Sequence, residues 1–230
     1  MVFSSLSFIF GFLPPALIGF LICARLGHRF AAFWLVLASL AFYAYWRVTF
    51  LPLLLISIAF NYGIGWVLFR TEARPRLAGW VLVFGIVTDL LALFYYKYAA
   101  ALAASFGFEH IGDIPLRDIV LPLGISFFTF TQIGYLVDVR QGVTKTRDPL
   151  SYVLFVTFFP HLIAGPILHN REMMPQFADP ATYRFSIRNF AVGLTIFVIG
   201  LAKKVLLADP LSGDVAANFA SAHTDGLSTA

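Results

Sequence analysis

Apolar runs about as long as a bilayer is thick follow one another along this chain, and short polar links between them hold most of the arginines and lysines. The runs fall at residues 6–23, 31–46, 50–69, 77–104, 119–139 and 190–207, with a shorter, interrupted one at 152–168. Stretches of this length predict membrane-spanning helices, because a helix satisfies its own backbone hydrogen bonds where there is no water. The first run carries Pro14-Pro15 at mid-length, which predicts a kink. The second closes on Phe42, Tyr43, Tyr45 and Trp46, the pattern of an interfacial aromatic belt. The fourth is longer than a bilayer needs. It places Asp89 near its middle and Lys97 among Tyr95, Tyr96 and Tyr98, where a lysine can snorkel to the interface.

The chain is organised around residues 121–170, where two apolar runs flank a basic loop. The second of these, 152–168, is interrupted by Pro160-His161 and by Ala164-Gly165-Pro166. A broken apolar segment carrying a histidine is tolerated at membrane depth only where protein or a water-filled cavity surrounds it. The pattern therefore predicts a re-entrant or in-plane segment that floors an internal chamber. Basic clusters follow the first, third and fifth runs: Arg25, His28 and Arg29; Arg70, Arg74 and Arg76; Arg140, Lys145 and Arg147. The positive-inside rule puts these loops in the cytoplasm and the N-terminus outside. Arg171, Arg184 and Arg188 also favour the cytoplasm, which a segment that turns back on itself allows. A polar, amphipathic stretch at 170–189 precedes the last run, and Lys203-Lys204 lie near that run's far end.

Composition sharpens this picture. Hydrophobic residues make up 60% of the 230 and charged residues 12%, against about 25% in a soluble domain. The expected class is all-α: a polytopic transmembrane bundle with kinked and re-entrant segments around a central funnel, in contact with the lipid bilayer. The net charge of +4 is carried by the loops and reads as topology, so no nucleic-acid partner is expected. With only Cys23, no disulfide framework or cysteine metal site can be built, and no cluster at metal-ligand spacing predicts a metal. Glycine-rich phosphate loops and GxSxG elbows are absent from the sequence. The N-terminus has no basic region ahead of its apolar run, so the first segment is expected to remain as a helix and not to be cleaved as a signal peptide.

Candidate chemistry rests on intramembrane polar groups. Asp89 either lies on a proton or substrate path or pairs with a donor from a neighbouring helix. His161 either contacts a substrate, as a base for example, or braces the bent backbone through a hydrogen bond. Gln132 and Asn61 read as interhelical hydrogen-bond donors and acceptors, with cavity lining the alternative. Gly63-x-Gly65 permits close helix approach, and Gly165-Pro166 shapes the backbone. His169 and Arg171 are placed either against an anionic cofactor at the cytoplasmic face or, for Arg171, as an interfacial anchor.

The runs LPLGISFFTFTQIGYLVDVRQG and FFPHLIAGPILHNREMMPQF, together with MVFSSLSFIFGFLP, AFYAYWRVTFLPLLLISIAFNYGIG and LAKKVLLAD, resemble the membrane-bound O-acyltransferase family. The likeness is to its bacterial alginate O-acetyltransferase and teichoic-acid D-alanyltransferase branch, with the alginate type nearer, and covers nearly all of the chain. It implies a multi-helix enzyme with a funnel reaching a thinned core. An acyl group, acetyl in the alginate type, passes from a cytoplasmic donor such as acetyl-CoA or an acyl carrier to hydroxyls of an extracytoplasmic polysaccharide or to partner proteins that modify it. No permanently bound cofactor is implied, and the location implied is the inner membrane. The family's catalytic histidine lies on later helices, in motifs such as RRWHISLS and LWHG, and neither occurs in these residues. His161, His169 and His223 are not in those contexts, so the resemblance gives none of them that role. Residues 1–230 thus resemble the N-terminal part of the family's domain, and the expectation is a fragment, inactive alone, whose catalytic histidine lies beyond Ala230. Gln132, His161, Gly165 and Pro166 are expected around the funnel and Arg171 at its mouth. A transporter or channel subunit and a non-catalytic membrane scaffold are the alternatives; an inverted repeat would favour the first, and none is seen.

Overall fold

The structure is a computed structural model that describes residues 3–107, 110–111, 114–115, 120–144, 147–163, 165, 170–212 and 215. It is an all-α protein whose described residues include five helices long and apolar enough to cross a membrane. The chain divides into two compact units: residues 16–183, and residues 1–15 together with 184–230.

The first span, Ser7–Leu26, begins as a π-helical turn, Ser7–Phe12, and continues as α1, Leu13–Leu26. The wider winding sits directly before Pro14-Pro15, where proline rings disturb the normal hydrogen-bond ladder. In the larger unit, α2 (His28–Trp46), α3 (Leu51–Arg70) and α4 (Pro75–Phe94) supply three further spans. The α3 span starts with a 3₁₀ turn, Val48–Phe50, and the fourth run continues from α4 through a π-helical turn, Tyr95–Ala99, into α5 (Ala100–Ser105). Beyond α5, β1 (His110–Ile111) and β2 (Ile114–Pro115) form a two-residue antiparallel pairing in the polar link.

The fifth apolar run differs from its expected extent of 119–139. Its helix, α6, covers Ile125–Arg140, starting only after Pro122 and Gly124, whose φ of 70° is left-handed. Its 16 residues rise about 24 Å, short of a hydrocarbon core of about 30 Å. This helix carries the interior: Phe128, Gln132, Tyr135, Leu136 and Val139 are buried, and it packs between α3 and α4. The long spans keep most of their surface outward, as lipid-facing helices do; even the most enclosed has only 39% of its most apolar stretch buried.

The sixth run is broken into α7 (Pro149–Thr157) and α8 (Phe159–Leu162), neither long enough to cross a bilayer. The break falls at Phe158 and not at Pro160-His161 as the sequence suggested; Pro160 occupies the first turn of α8, where its missing N–H costs nothing. Ala164 and Pro166, the other expected interruption, lie outside the described residues apart from Gly165 between them. The amphipathic stretch forms α9 (Asn170–Ala178), which contains Pro175, and a 3₁₀ turn, Pro180–Tyr183. In the smaller unit, α10 (Ile187–Lys203) runs through a π-helical turn, Lys204–Ala208, to complete the fifth span, Ile187–Ser212, none of it buried.

Candidate functional site: a buried imidazole at a helix break

Asp148 starts α7: its Oδ2 accepts the Ser151 backbone N–H at 2.9 Å and the Ser151 hydroxyl at 2.7 Å, and its Oδ1 takes Arg29 of α2 at 3.2 Å. At the far end, Phe158 leaves helical geometry with φ −51° and ψ 108°. A break among apolar side chains strands backbone groups that need partners. The Phe159 N–H finds one in Ser39 Oγ of α2 at 3.1 Å, both groups buried. The short helix α8 is thus fixed to α2 by a hydroxyl, and it carries His161.

The imidazole of His161 is 4% exposed and lies among the rings of Phe127, Phe158 and Phe155, with centroids 5.8, 5.8 and 6.5 Å away. Among the described residues, neither ring nitrogen meets hydrogen-bonding geometry with a partner. The backbone N–H of His161 donates to the Phe158 carbonyl at 3.1 Å. A neutral imidazole presents one donor and one acceptor, and leaving each unmatched in the interior costs about 1–3 kcal/mol.

Two glycines let the backbone close on this residue. A Cβ on Gly165 would lie 2.9 Å from the Cβ of His161, and one on Gly124 would lie 2.8 Å from the Leu162 carbonyl oxygen. An open cavity of about 450 Å³ adjoins the imidazole, lined by Phe158 and Pro160 on one side and by Glu172, Met173, Gln176 and Phe177 of α9 on the other. Phe177 also lines a second cavity, of about 480 Å³, with His28, Arg29, Asp148 and Tyr183 on its rim. The Tyr183 hydroxyl donates to the Phe177 carbonyl at 2.6 Å, and burial raises its pKa above the ordinary phenol value.

The other expected site residues separate into distinct places. Gln132 does not line the cavity: its Nε2 donates to Ser57 Oγ of α3 at 2.8 Å, and its Oε1 accepts from the Tyr152 hydroxyl of α7 at 3.1 Å. Asn61 donates to Asp89 at 2.8 Å across α3 and α4. Arg171 is exposed on α9 and is not part of the cavity wall, whereas its neighbour Glu172 is. Pro166, His169 and His223 lie outside the described residues. Glu172 lines the cavity, and Ser57 and Tyr152 are the partners of Gln132; the sequence marks none of the three individually. The usable signal is helical spacing: Phe128, Gln132, Tyr135, Leu136 and Val139 share one face of α6, and Met173 and Phe177 stand four apart on α9. Among the described residues no group of three or more His, Cys, Asp or Glu side chains could hold a metal.

No family model matches the chain, and no solved structure matches it. Among curated relatives, it is 39% identical to the peptidoglycan O-acetyltransferase of Helicobacter pylori over 91% of its own length, and 40% identical to a probable alginate O-acetylase of Pseudomonas aeruginosa over 92%. The chain is thus similar over nearly its whole length to bacterial O-acetyltransferases. The teichoic acid D-alanyltransferase of Bacillus subtilis is 28% identical over 59% of the chain. The chain spans 45% and 41% of the lengths of the first two relatives.

Proposed function

We propose that this chain is part of an integral-membrane O-acyltransferase that moves an acetyl group from a cytoplasmic donor, acetyl-CoA or an acyl carrier, toward hydroxyls of an extracytoplasmic polysaccharide such as alginate. The observation that carries the reading is the 40% identity to a probable alginate O-acetylase over 92% of the chain. The protein resides in the inner membrane with its N-terminus outside, because the basic links after the first, third and fifth runs then face the cytoplasm. Proteins that modify the polysaccharide outside the membrane are its partners.

In this reading His161, Gly165 and the apolar wall of the adjoining cavity form one side of the funnel along which donor or acceptor reaches the reacting atoms. A hydrogen bond from the imidazole orients the ligand by matching a group that the protein itself leaves unmatched. The family's catalytic histidine motifs are not within these residues, so proton transfer from the sugar hydroxyl falls to other parts of the protein. Gln132 and the Asn61–Asp89 pair hold the surrounding helices in register.

The test is acetyl transfer by the complete protein, with its extracytoplasmic partners, in proteoliposomes carrying labelled acetyl-CoA on one side and alginate on the other. Label appearing as polysaccharide ester supports the reading; none, with protein correctly inserted, overturns it. His161→Phe keeps the aromatic packing and removes both nitrogens. It is expected to fold as well as the native protein and to transfer at least about tenfold more slowly, the effect of losing one ligand hydrogen bond.

A further inference from the structure

A second concave site lies at the opposite set of helix ends from the break, where α3 turns into α4 and α6 ends. The α3 span finishes at Arg70, stacked over Trp66 with its guanidinium carbon 3.4 Å from the ring centroid, and α4 begins at Pro75. Arginine paired with tryptophan at the end of an apolar span marks a membrane–water boundary. Here a cavity of about 420 Å³ has an apolar floor of Leu68, Phe69, Ala78 and Val139, with Arg140 and Arg147 at its rim.

Both guanidiniums are positioned, and among the described residues neither has an ion-pair partner. Arg147 sits over the Phe69 ring at 4.9 Å, and Arg140 donates to the Pro75 carbonyl at 3.4 Å. The Arg147 backbone is held too, its carbonyl accepting the Tyr62 hydroxyl at 2.8 Å. Glu72 is the carboxylate on the rim, and among the described residues it makes no ion pair with either arginine. Two cations therefore face one carboxylate across the mouth of a pocket whose floor is hydrocarbon. Arg70, Arg74 and Arg76 in the adjoining turn add to the positive potential.

We propose that this pocket binds the phosphate-bearing headgroup of an anionic membrane phospholipid, with Arg140 and Arg147 on the phosphate and the upper acyl chain against Leu68, Phe69 and Val139. A soluble phosphate would satisfy the guanidiniums and leave the apolar floor uncovered; a neutral lipid would do the reverse. An anionic lipid matches both halves, and basic pockets between helix ends at the cytoplasmic face are where such headgroups bind. Guanidinium is the suitable cation, since its planar donors take phosphate oxygens in pairs. The site is independent of the His161 cavity and of the acyltransfer reading.

The test is lipid binding by the full chain in nanodiscs, read by native mass spectrometry and by thermal unfolding. Native protein is expected to retain phosphatidylglycerol over phosphatidylcholine and to unfold at higher temperature in its presence. Arg140→Gln combined with Arg147→Gln is expected to weaken that preference about thirtyfold, whereas the charge-matched pair Arg184→Gln and Arg188→Gln leaves it within about twofold. Should the double variant not fold, titrating the native protein with the two lipids still decides, because equal retention of both overturns the proposal. Inorganic phosphate protecting the protein in wholly neutral nanodiscs as well as phosphatidylglycerol does also overturns it, in favour of a soluble anion.

Discussion

Asn61 on α3 donates from Nδ2 to Oδ1 of Asp89 on α4 at 2.8 Å, in an interior where Asn61 is fully buried and Asp89 is 6% exposed. Among the described residues the remaining oxygens, Asn61 Oδ1 and Asp89 Oδ2, have no partner. Asn61→Ala strips the carboxyl of its donor and is expected to lower stability by about 1–2 kcal/mol. Asp89→Asn keeps an oxygen that accepts from Asn61 Nδ2, so it is expected to unfold within a few degrees of the native protein. Thermal unfolding in detergent distinguishes them; equal losses in both would show that the pair does not join the helices.

Gly65 and Gly63 make opposite demands although they stand two residues apart. A Cβ on Gly65 would meet the Tyr135 ring at 2.7 Å and its hydroxyl at 2.9 Å, while nothing lies within 4 Å of one on Gly63. Gly65→Ala is expected to cost about 1–3 kcal/mol by overpacking α3 against α6. Gly63→Ala is expected to be neutral or slightly stabilising, since alanine favours the helix. Similar unfolding temperatures for the two would contradict this packing.

Gly124 combines a left-handed φ of 70° with a close approach to the Leu162 carbonyl. Any Cβ adds about 1–2 kcal/mol of backbone strain and pushes α6 away from α8. Gly124→Ala is therefore expected to destabilise the protein and displace His161 as well. Reduced unfolding temperature together with new reactivity of His161 toward diethylpyrocarbonate is the expected result, and unchanged protection would argue against the coupling.

Gln132 connects three helices through Ser57 and Tyr152, and the tilted rings of Tyr152 and Tyr135 pack with centroids 4.3 Å apart. Gln132→Leu leaves the half-buried Ser57 hydroxyl and the buried Tyr152 hydroxyl without their partner and is expected to cost about 1–2 kcal/mol, more than Tyr152→Phe, which removes one bond and keeps both rings. A double-mutant cycle measures the coupling; additive losses would mean that Gln132 and Tyr152 act separately.

Hydrophobic run length by itself fixed the class of this protein and the approximate place of each long span, because a lipid-facing helix has to be apolar over about 20 residues and the chain records that directly. The identity of Asp89, Asn61, Gln132 and His161 as buried polar groups was legible for the same reason: charge or amide inside such a run has nowhere else to go. Which of them would pair was decided in three dimensions. Asn61 and Asp89 are 28 residues apart and meet only because α3 and α4 pack side by side, whereas the imidazole of His161 is enclosed by three phenylalanine rings. The sequence could not show that the fifth run yields a helix too short to span, or that the break in the sixth comes at Phe158, because both depend on backbone conformation and on hydroxyl partners, Ser39 among them, supplied by distant helices. Local pattern sets where a helix is possible; tertiary contact sets where its unpaired backbone can be satisfied, and so where it ends.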